Sequence, residues 1–135
     1  MLKLSKKSEY ALMAVRYLAI NSNGKYATAR DISKFYDIPF ELVAKVLQQL
    51  VKKNLISSSQ GVRGGYSLVK APELISLMEI IIAVEDNYQI TNCMNEKSSE
   101  KECSHFDCCI IRDPLIKVQR EIDKVFQNMK VNQIL

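Results

Sequence analysis

Tryptophan is absent from the 135-residue chain, histidine occurs once, and glycine and proline occur only four and three times. The single histidine, His105, lies among cysteines, and no paired-carboxylate, nucleophile–base or nucleotide-cradling pattern accompanies it. That argues against an enzyme. No long hydrophobic run is present: the longest near the start, Ala11 to Ile20, is interrupted by Arg16 and is about half of what a bilayer span needs. Lys3, Lys6 and Lys7 are followed by an amphipathic segment rather than a secretory core, so a signal peptide is not expected and the reading is cytoplasmic, with no membrane partner. There is no internal repeat. With 47% apolar and 25% charged side chains, the length suits one compact domain plus an appendage rather than two independent cores.

What is present is unevenly spread. Residues 1–70 hold 12 Lys+Arg against 4 Asp+Glu, a net of +8, whereas residues 71–135 hold 7 against 11, a net of −4. A basic half suits phosphate neutralisation, in which each Lys or Arg that replaces a condensed counterion gains entropy from its release. The same lysines also fit a merely solvated face.

Periodicity predicts a helix over roughly residues 6 to 22, opened by Ser8 and Glu9, with Leu12, Val15, Leu18 and Ala19 on one face. Thr28 is the expected N-cap of a short second helix, Ala29 to Phe35, with Ile32 and Phe35 on one face. Tyr36-Asp37-Ile38-Pro39 breaks it, and a third helix runs from about Pro39 to Asn54. Its apolar stripe is Leu42, Val46, Leu47 and Leu50, with Lys45, Gln48, Gln49, Lys52 and Lys53 off the stripe. Two helices joined by a tight turn, the second carrying basic and amide groups outward, form a helix-turn-helix. Leu55 to Ser59 and Gly65 to Val69 flank Gln60-Gly61-Val62-Arg63-Gly64 and read as a hairpin wing. Three of the four glycines fall here, allowing close backbone approach, and Arg63 can enter a minor groove or clamp a phosphate.

Ile75 to Val84 is apolar nearly all round and must be buried on more than one side. Residues 87 to 108 lack a long apolar period, and a last helix from about Asp113 to Lys130 carries Leu115, Val118, Ile122, Val125, Phe126 and Met129 on one stripe. The expected fold is mostly α with a small β-hairpin wing: a winged helix-turn-helix over residues 1–72, then residues 73–135 with dimerisation helices and a cysteine-containing loop at about 87–112. The long final helix packs on a second copy or folds back on its own core.

Candidate DNA contacts are Thr28, Pro39, Phe40, Glu41, Lys45, Gln48, Arg63 and Gly64, with Val43 and Ala44 beside them. Lys45 and Gln48 carry groups suited to guanine and adenine edges, although Lys45 equally suits a phosphate. Phe40 and Val43 suit either thymine methyls or the core. Cys93, Cys103 and Cys109 are spaced Cys-x9-Cys-x5-Cys, and Cys108 is a further thiol. Soft thiolates on a loop can converge on iron and leave a fourth place for a nitrogen or oxygen donor. Adjacent Cys108 and Cys109 near Lys101 and Arg112 also fit a thiol redox switch.

Ser8 to Leu12 through Tyr17-Leu18-Ala19, then Asp31-Ile32-Ser33 with Ile38-Pro39, Leu50 to Ile56, and Gly64 to Leu68 together resemble the Rrf-two type of winged-helix transcriptional regulators, the IscR-, NsrR- and CymR-like proteins. The likeness covers almost the whole chain. It implies a homodimer on a palindromic double-stranded DNA operator, with the third helix in the major groove, the wing in the adjacent minor groove and the long C-terminal helix crossing to the other subunit. It further implies an iron-sulfur cluster, [2Fe-2S] or [4Fe-4S], on Cys93, Cys103 and Cys109. Against the IscR-like spacing the first gap is longer, and Arg112 stands in the histidine place. Glu9, matching an acidic ligand contributed by the partner subunit in NsrR-like members, and Cys108 or His105 are the alternates for further ligands. Glu9 is otherwise a first-turn carboxylate stabilised by the helix dipole. The implied function is a regulator, of repressor type, that senses iron-sulfur, redox or nitric-oxide status; the alternative is a cluster-free regulator controlled by thiol oxidation or a protein effector.

Overall fold

The computed structural model describes residues 4–21, 26–62, 64–85 and 111–135. Five α-helices and one hairpin follow in order: α1 Lys6–Ile20, α2 Ala29–Tyr36, α3 Phe40–Lys52, β1 Ile56–Ser59, β2 Gly65–Leu68, α4 Leu77–Val84 and α5 Arg112–Asn128. Single 3-10 turns, Pro72–Leu74 and Val131–Gln133, precede α4 and follow α5. Among the described residues no helix is long and apolar enough to cross a membrane.

Local chemistry sets the helix ends. Ser5, not Ser8, caps α1, accepting the Ser8 amide. Ser8 instead lies fully buried in the first turn, and its hydroxyl donates to the Glu85 carboxylate at 3.0 Å. Thr28 with Asp31 and Ser76 with Glu79 form reciprocal capping boxes that open α2 and α4, each satisfying two otherwise orphaned amides. At the end of α2, Asp37 takes the left-handed conformation (φ 55°, ψ 53°), and the Ile38 amide donates to the Ser33 carbonyl at 3.0 Å. That closure buries Ile38 and turns the chain directly into α3. Asn54 (φ 60°) ends α3 in the same way, with the Leu55 amide donating to the Leu50 carbonyl at 3.1 Å.

One core joins both halves of the chain. Ala11, Val15 and Leu18 of α1, Ile32 of α2, Val43, Val46, Leu47 and Leu50 of α3, Ile56 of β1, and Leu77, Ile80 and Val84 of α4 pack in a single cluster. Val131 joins it from beyond α5 and is fully buried. Backbone bonds fix that return: the Leu77 amide donates to the Met129 carbonyl at 3.0 Å and the Val131 amide to the Ile75 carbonyl at 2.9 Å. As the all-round apolar pattern required, α4 buries Leu77, Met78, Ile80, Ile81, Ala83 and Val84, leaving Glu79 and Ile82 outside.

Two apolar placements differ from the periodicity. Phe35 is 64% exposed although its partner Ile32 is fully buried; its ring instead meets Tyr17 and Tyr36 edge-on at 5.2 and 4.9 Å on the surface. An eight-residue helix has room for a narrow buried face, and Ile32 fills it. Leu42 is exposed and Val43 buried, because two adjacent apolar residues fit a helical period equally well and the orientation of α3 against α1 chooses between them.

Candidate nucleic-acid interface

The phase of α3 separates its two faces. Val43, Val46, Leu47 and Leu50 point into the core, whereas Glu41, Lys45, Gln48 and Lys52 are exposed. Their spacing of four, three and four residues places these side chains in one outward stripe. Phe40 and Leu42, 45% and 41% exposed, flank it on either side. Glu41 occupies the first turn, where its carboxylate complements the helix dipole. Lys45 and Lys52 form no ion pair with another described residue, so their ammonium groups are available to an anionic surface.

The turn presents the start of this stripe. Pro39 is exposed at the N-cap of α3 with φ −55°, and its carbonyl accepts the Leu42 and Val43 amides, both at 3.2 Å. The Ser33 hydroxyl donates to the Ile38 carbonyl at 2.5 Å, tying α2 to the turn. Thr28 is exposed, but its hydroxyl oxygen already accepts the Asp31 amide at 3.1 Å, which gives it a structural task at the N-terminus of α2.

The wing follows as expected. β1 and β2 pair antiparallel, Ile56 with Leu68 through Ser59 with Gly65, and the Ser57 and Ser67 hydroxyls meet across the ladder at 3.1 Å. Ala27 extends the sheet by one bridge, its amide donating to the Tyr66 carbonyl at 3.0 Å and its carbonyl accepting the Tyr66 amide at 2.7 Å. This bridge had no signal in the sequence. It accounts for Gly65, whose φ is +149° and where an added Cβ would stand 2.6 Å from the Ala27 carbonyl oxygen. A Cβ on Gly64 would meet the Ser59 carbonyl oxygen, so the close approach these glycines allow is first of all within the protein. Gly61 has open space around it and Val62 is fully exposed at the tip. Arg63 lies outside the described residues.

Not every cation of the basic half faces outward. Arg16 donates to the Ile134 carbonyl at 3.0 Å and to the Tyr36 hydroxyl at 3.2 Å, clamping the C-terminal segment onto α1 and α2. Lys70 pairs with Glu79 at 3.3 Å. Lys6 pairs with Glu9 at 3.0 Å, and the Glu9 carboxylate, by accepting its hydrogen bond and by attraction, holds the Lys6 ammonium above its usual range. Sequence reading missed Arg30 of α2, whose guanidinium carbon lies 5.5 Å from the centre of the Phe40 ring; an arginine in a first turn carries no periodic signal of its own.

Of the candidate ligands, Glu9 alone is described, half-buried in the first turn of α1 next to the buried Ser8. Cys93, Cys103, His105, Cys108 and Cys109 lie outside the described residues. Among the described residues, no group of three or more His, Cys, Asp and Glu side chains is placed to hold a metal ion. The Ser8–Glu85 bond brings the end of α4, the last described residue before the cysteines, onto α1 beside Glu9. On α5 and its C-cap the apolar stripe divides: Leu115, Ile122 and Phe126 are half-buried, whereas Val118, Val125 and the C-cap Met129 are exposed.

Comparisons with known proteins agree with this architecture. The family model described as "Rrf2: Iron-dependent Transcriptional regulator" matches residues 4–135. The HTH-type transcriptional regulator NsrR of Halalkalibacterium halodurans is 30% identical over 98 residues, covering 73% of this chain and 67% of that protein. The T. potens IscR structure superposes with a TM-score of 0.77 at 22% identity, over 98% of this chain and 85% of that one. CymR, the global cysteine regulator of B. subtilis, superposes with a TM-score of 0.75 at 20% identity, over 99% and 96%.

Proposed function

This chain belongs to the Rrf2 family of DNA-binding transcriptional regulators, and from that premise we propose that it binds a palindromic operator as a homodimer and senses iron-sulfur, redox or nitric-oxide status through a cysteine-ligated cluster. The observation that carries the DNA half is the outward stripe Glu41, Lys45, Gln48 and Lys52 on α3, whose ammonium groups form no ion pair among the described residues. A dimer sets two such stripes roughly 34 Å apart, one turn of DNA, which suits symmetric half-sites. The exposed Val118 and Val125 of α5 and Met129 just after it are the surface a second copy would cover.

The donor set fits a cluster. Three thiolates are the ligands iron-sulfur clusters take, and a carboxylate is a weaker fourth. Glu9 is half-buried and, among the described residues, pairs with the exposed Lys6, a surface pair whose loss costs little. Cys93, Cys103 and Cys109 would hold the cluster, with Glu9 of the partner subunit completing it and Cys108 or His105 as alternates. Bound there, the group supplies electron exchange and reactivity toward oxidants or nitric oxide. The protein's own part is transmission. Residues 86–110 join Glu85, tied to α1 through Ser8, to α5, whose far end is anchored in the core by Val131. A rearrangement of that segment therefore acts on both Glu85 and α5 and alters how two recognition helices are spaced. It regulates only if operator affinity differs between the two states.

A second reading keeps the dimer and replaces the cluster by thiol oxidation. The adjacent Cys108 and Cys109 favour it, as does a fold as close to CymR as to IscR. Anaerobic purification with an absorption spectrum and iron and sulfide assays separates the two. A visible band with stoichiometric iron and sulfide, lost on replacing Cys93, Cys103 or Cys109 by serine, supports the cluster; a colourless protein that resists reconstitution supports thiol oxidation or a protein effector. An operator selected from a random duplex pool, bound by the natural chain and lost with Lys45→Ala and Gln48→Ala together, tests α3.

A further inference from the structure

Arg30 stands where local physics gives a cation no support. It is the second residue of α2, beside the positive end of the helix dipole, where a carboxylate rather than a guanidinium is stabilising. The neighbouring Asp31 carboxylate is occupied by the Thr28 amide at 2.9 Å, and Arg30 forms no ion pair with another described residue. What holds it is the Phe40 ring, 5.5 Å away. Phe40 itself is 45% exposed at the start of α3, although an aromatic ring there has every reason to be buried. Two side chains that each break a local rule, on two helices, meet at one spot on the outward face. Such paired departures mark a site of function rather than of stability.

We propose that Arg30 is a DNA contact, donating from its guanidinium to a phosphate of the operator half-site, and that Phe40 is the positioning residue holding that planar group beside the first turn of α3. A phosphate is favoured over a base edge because Arg30 lies on α2, to one side of the Glu41–Lys45–Gln48–Lys52 stripe, and the first helix of a helix-turn-helix crosses the DNA backbone. The guanidinium fork matches phosphate oxygens in a way a lysine does not. Stacking on the ring restricts its rotamers before DNA arrives, so less side-chain freedom is lost on binding. This inference rests on the reading of α3 as the recognition helix.

The test measures affinity for a duplex selected from a random pool across a series of salt concentrations, with circular dichroism and thermal unfolding for each variant. For Arg30→Ala the expected result is a loss of about tenfold in affinity and a fall of about one per protomer in the slope of log K against log salt. Arg30→Lys keeps the slope and recovers only part of the affinity. Phe40→Leu keeps the slope, since the charge remains, and loses several-fold in affinity. If Arg30→Ala binds with natural affinity and slope, or shifts only the unfolding temperature, the proposal is overturned; if Phe40→Leu binds as the natural chain does, the positioning role is. Should Arg30→Ala not fold, Arg30→Gln and Arg30→Lys decide by the same slope. Lys45→Ala separates this inference from the one beneath it. Selection of no duplex by the natural chain defeats the recognition-helix reading, whereas selection that weakens with Lys45→Ala but not with Arg30→Ala defeats this inference alone.

Discussion

The stretch from α1 to α4 and residues 111–135 are built on different terms. In the first, nearly every backbone end has a local partner: Ser5, Thr28 and Ser76 cap three helices, and Asp37 and Asn54 close two. Its buried apolar side chains converge in one core, while Phe35, Phe40, Leu42 and Val62 stay exposed. In the second, α5, like α3, opens without a side-chain cap, and Val118, Val125 and Met129 are exposed. Under the proposed function, the first region presents the recognition helix to DNA, and a second copy covers the exposed apolar residues of the second. That division suits the proposed regulator, in which the DNA-reading helices keep their shape while the cysteine segment responds to the signal.

Variants can break or sharpen this contrast. Leu47→Ala, at a fully buried position of α3, is expected to lower stability by about 3 kcal/mol, read as a fall in the denaturant midpoint. Next, Gly65→Ala should cost about 2 kcal/mol, because it forces a side chain into a left-handed conformation against the Ala27 carbonyl; circular dichroism melting measures it, and no loss would mean the bridge can open freely. Ser8→Ala leaves the Glu85 carboxylate without its donor and is expected to cost about 1 kcal/mol. The same variant should narrow the affinity difference between signalled and unsignalled protein, whereas an unchanged difference would remove Ser8 from the coupling. The smallest effect on the fold itself is expected from Val125→Glu, at a position 59% exposed: unfolding of the isolated chain stays within about 0.5 kcal/mol, while sedimentation shows the dimer lost. A dimer that survives the charge would place the partner surface elsewhere.

How much of this was legible follows the same line. Helix positions in the first region were readable because their signals are local: Thr28 before α2, Ile38-Pro39 at the turn, the Val46-Leu47-Leu50 stripe. The final helix was readable for its period, and only the structure divided its stripe between Phe126, packed against the core, and Val125, left outside. What escaped needed three dimensions. Ser8 looked like a cap because serine caps helices, yet its hydroxyl serves Glu85, 77 residues away. Arg16 figured only as a break in an apolar run and as one cation of the basic half, yet it clamps Ile134 and Tyr36. The Ala27–Tyr66 bridge and the burial of Val131 depend on pairings between distant segments that no window of sequence contains. Of the expected contacts, Phe40, Glu41, Lys45 and Gln48 stand outward, and Arg30 joined them only once α2 and α3 were set side by side.

The most direct measurement is fluorescence anisotropy of the selected operator duplex with one preparation of the protein, before and after anaerobic reconstitution with iron and sulfide. A cluster sensor should show operator affinities that differ by about tenfold or more between the two states, a coupling of about 1.4 kcal/mol, with the difference abolished by Cys103→Ser. Equal affinities in a preparation that has demonstrably taken up iron and sulfide would contradict the account, because a ligand bound alike by both states regulates nothing.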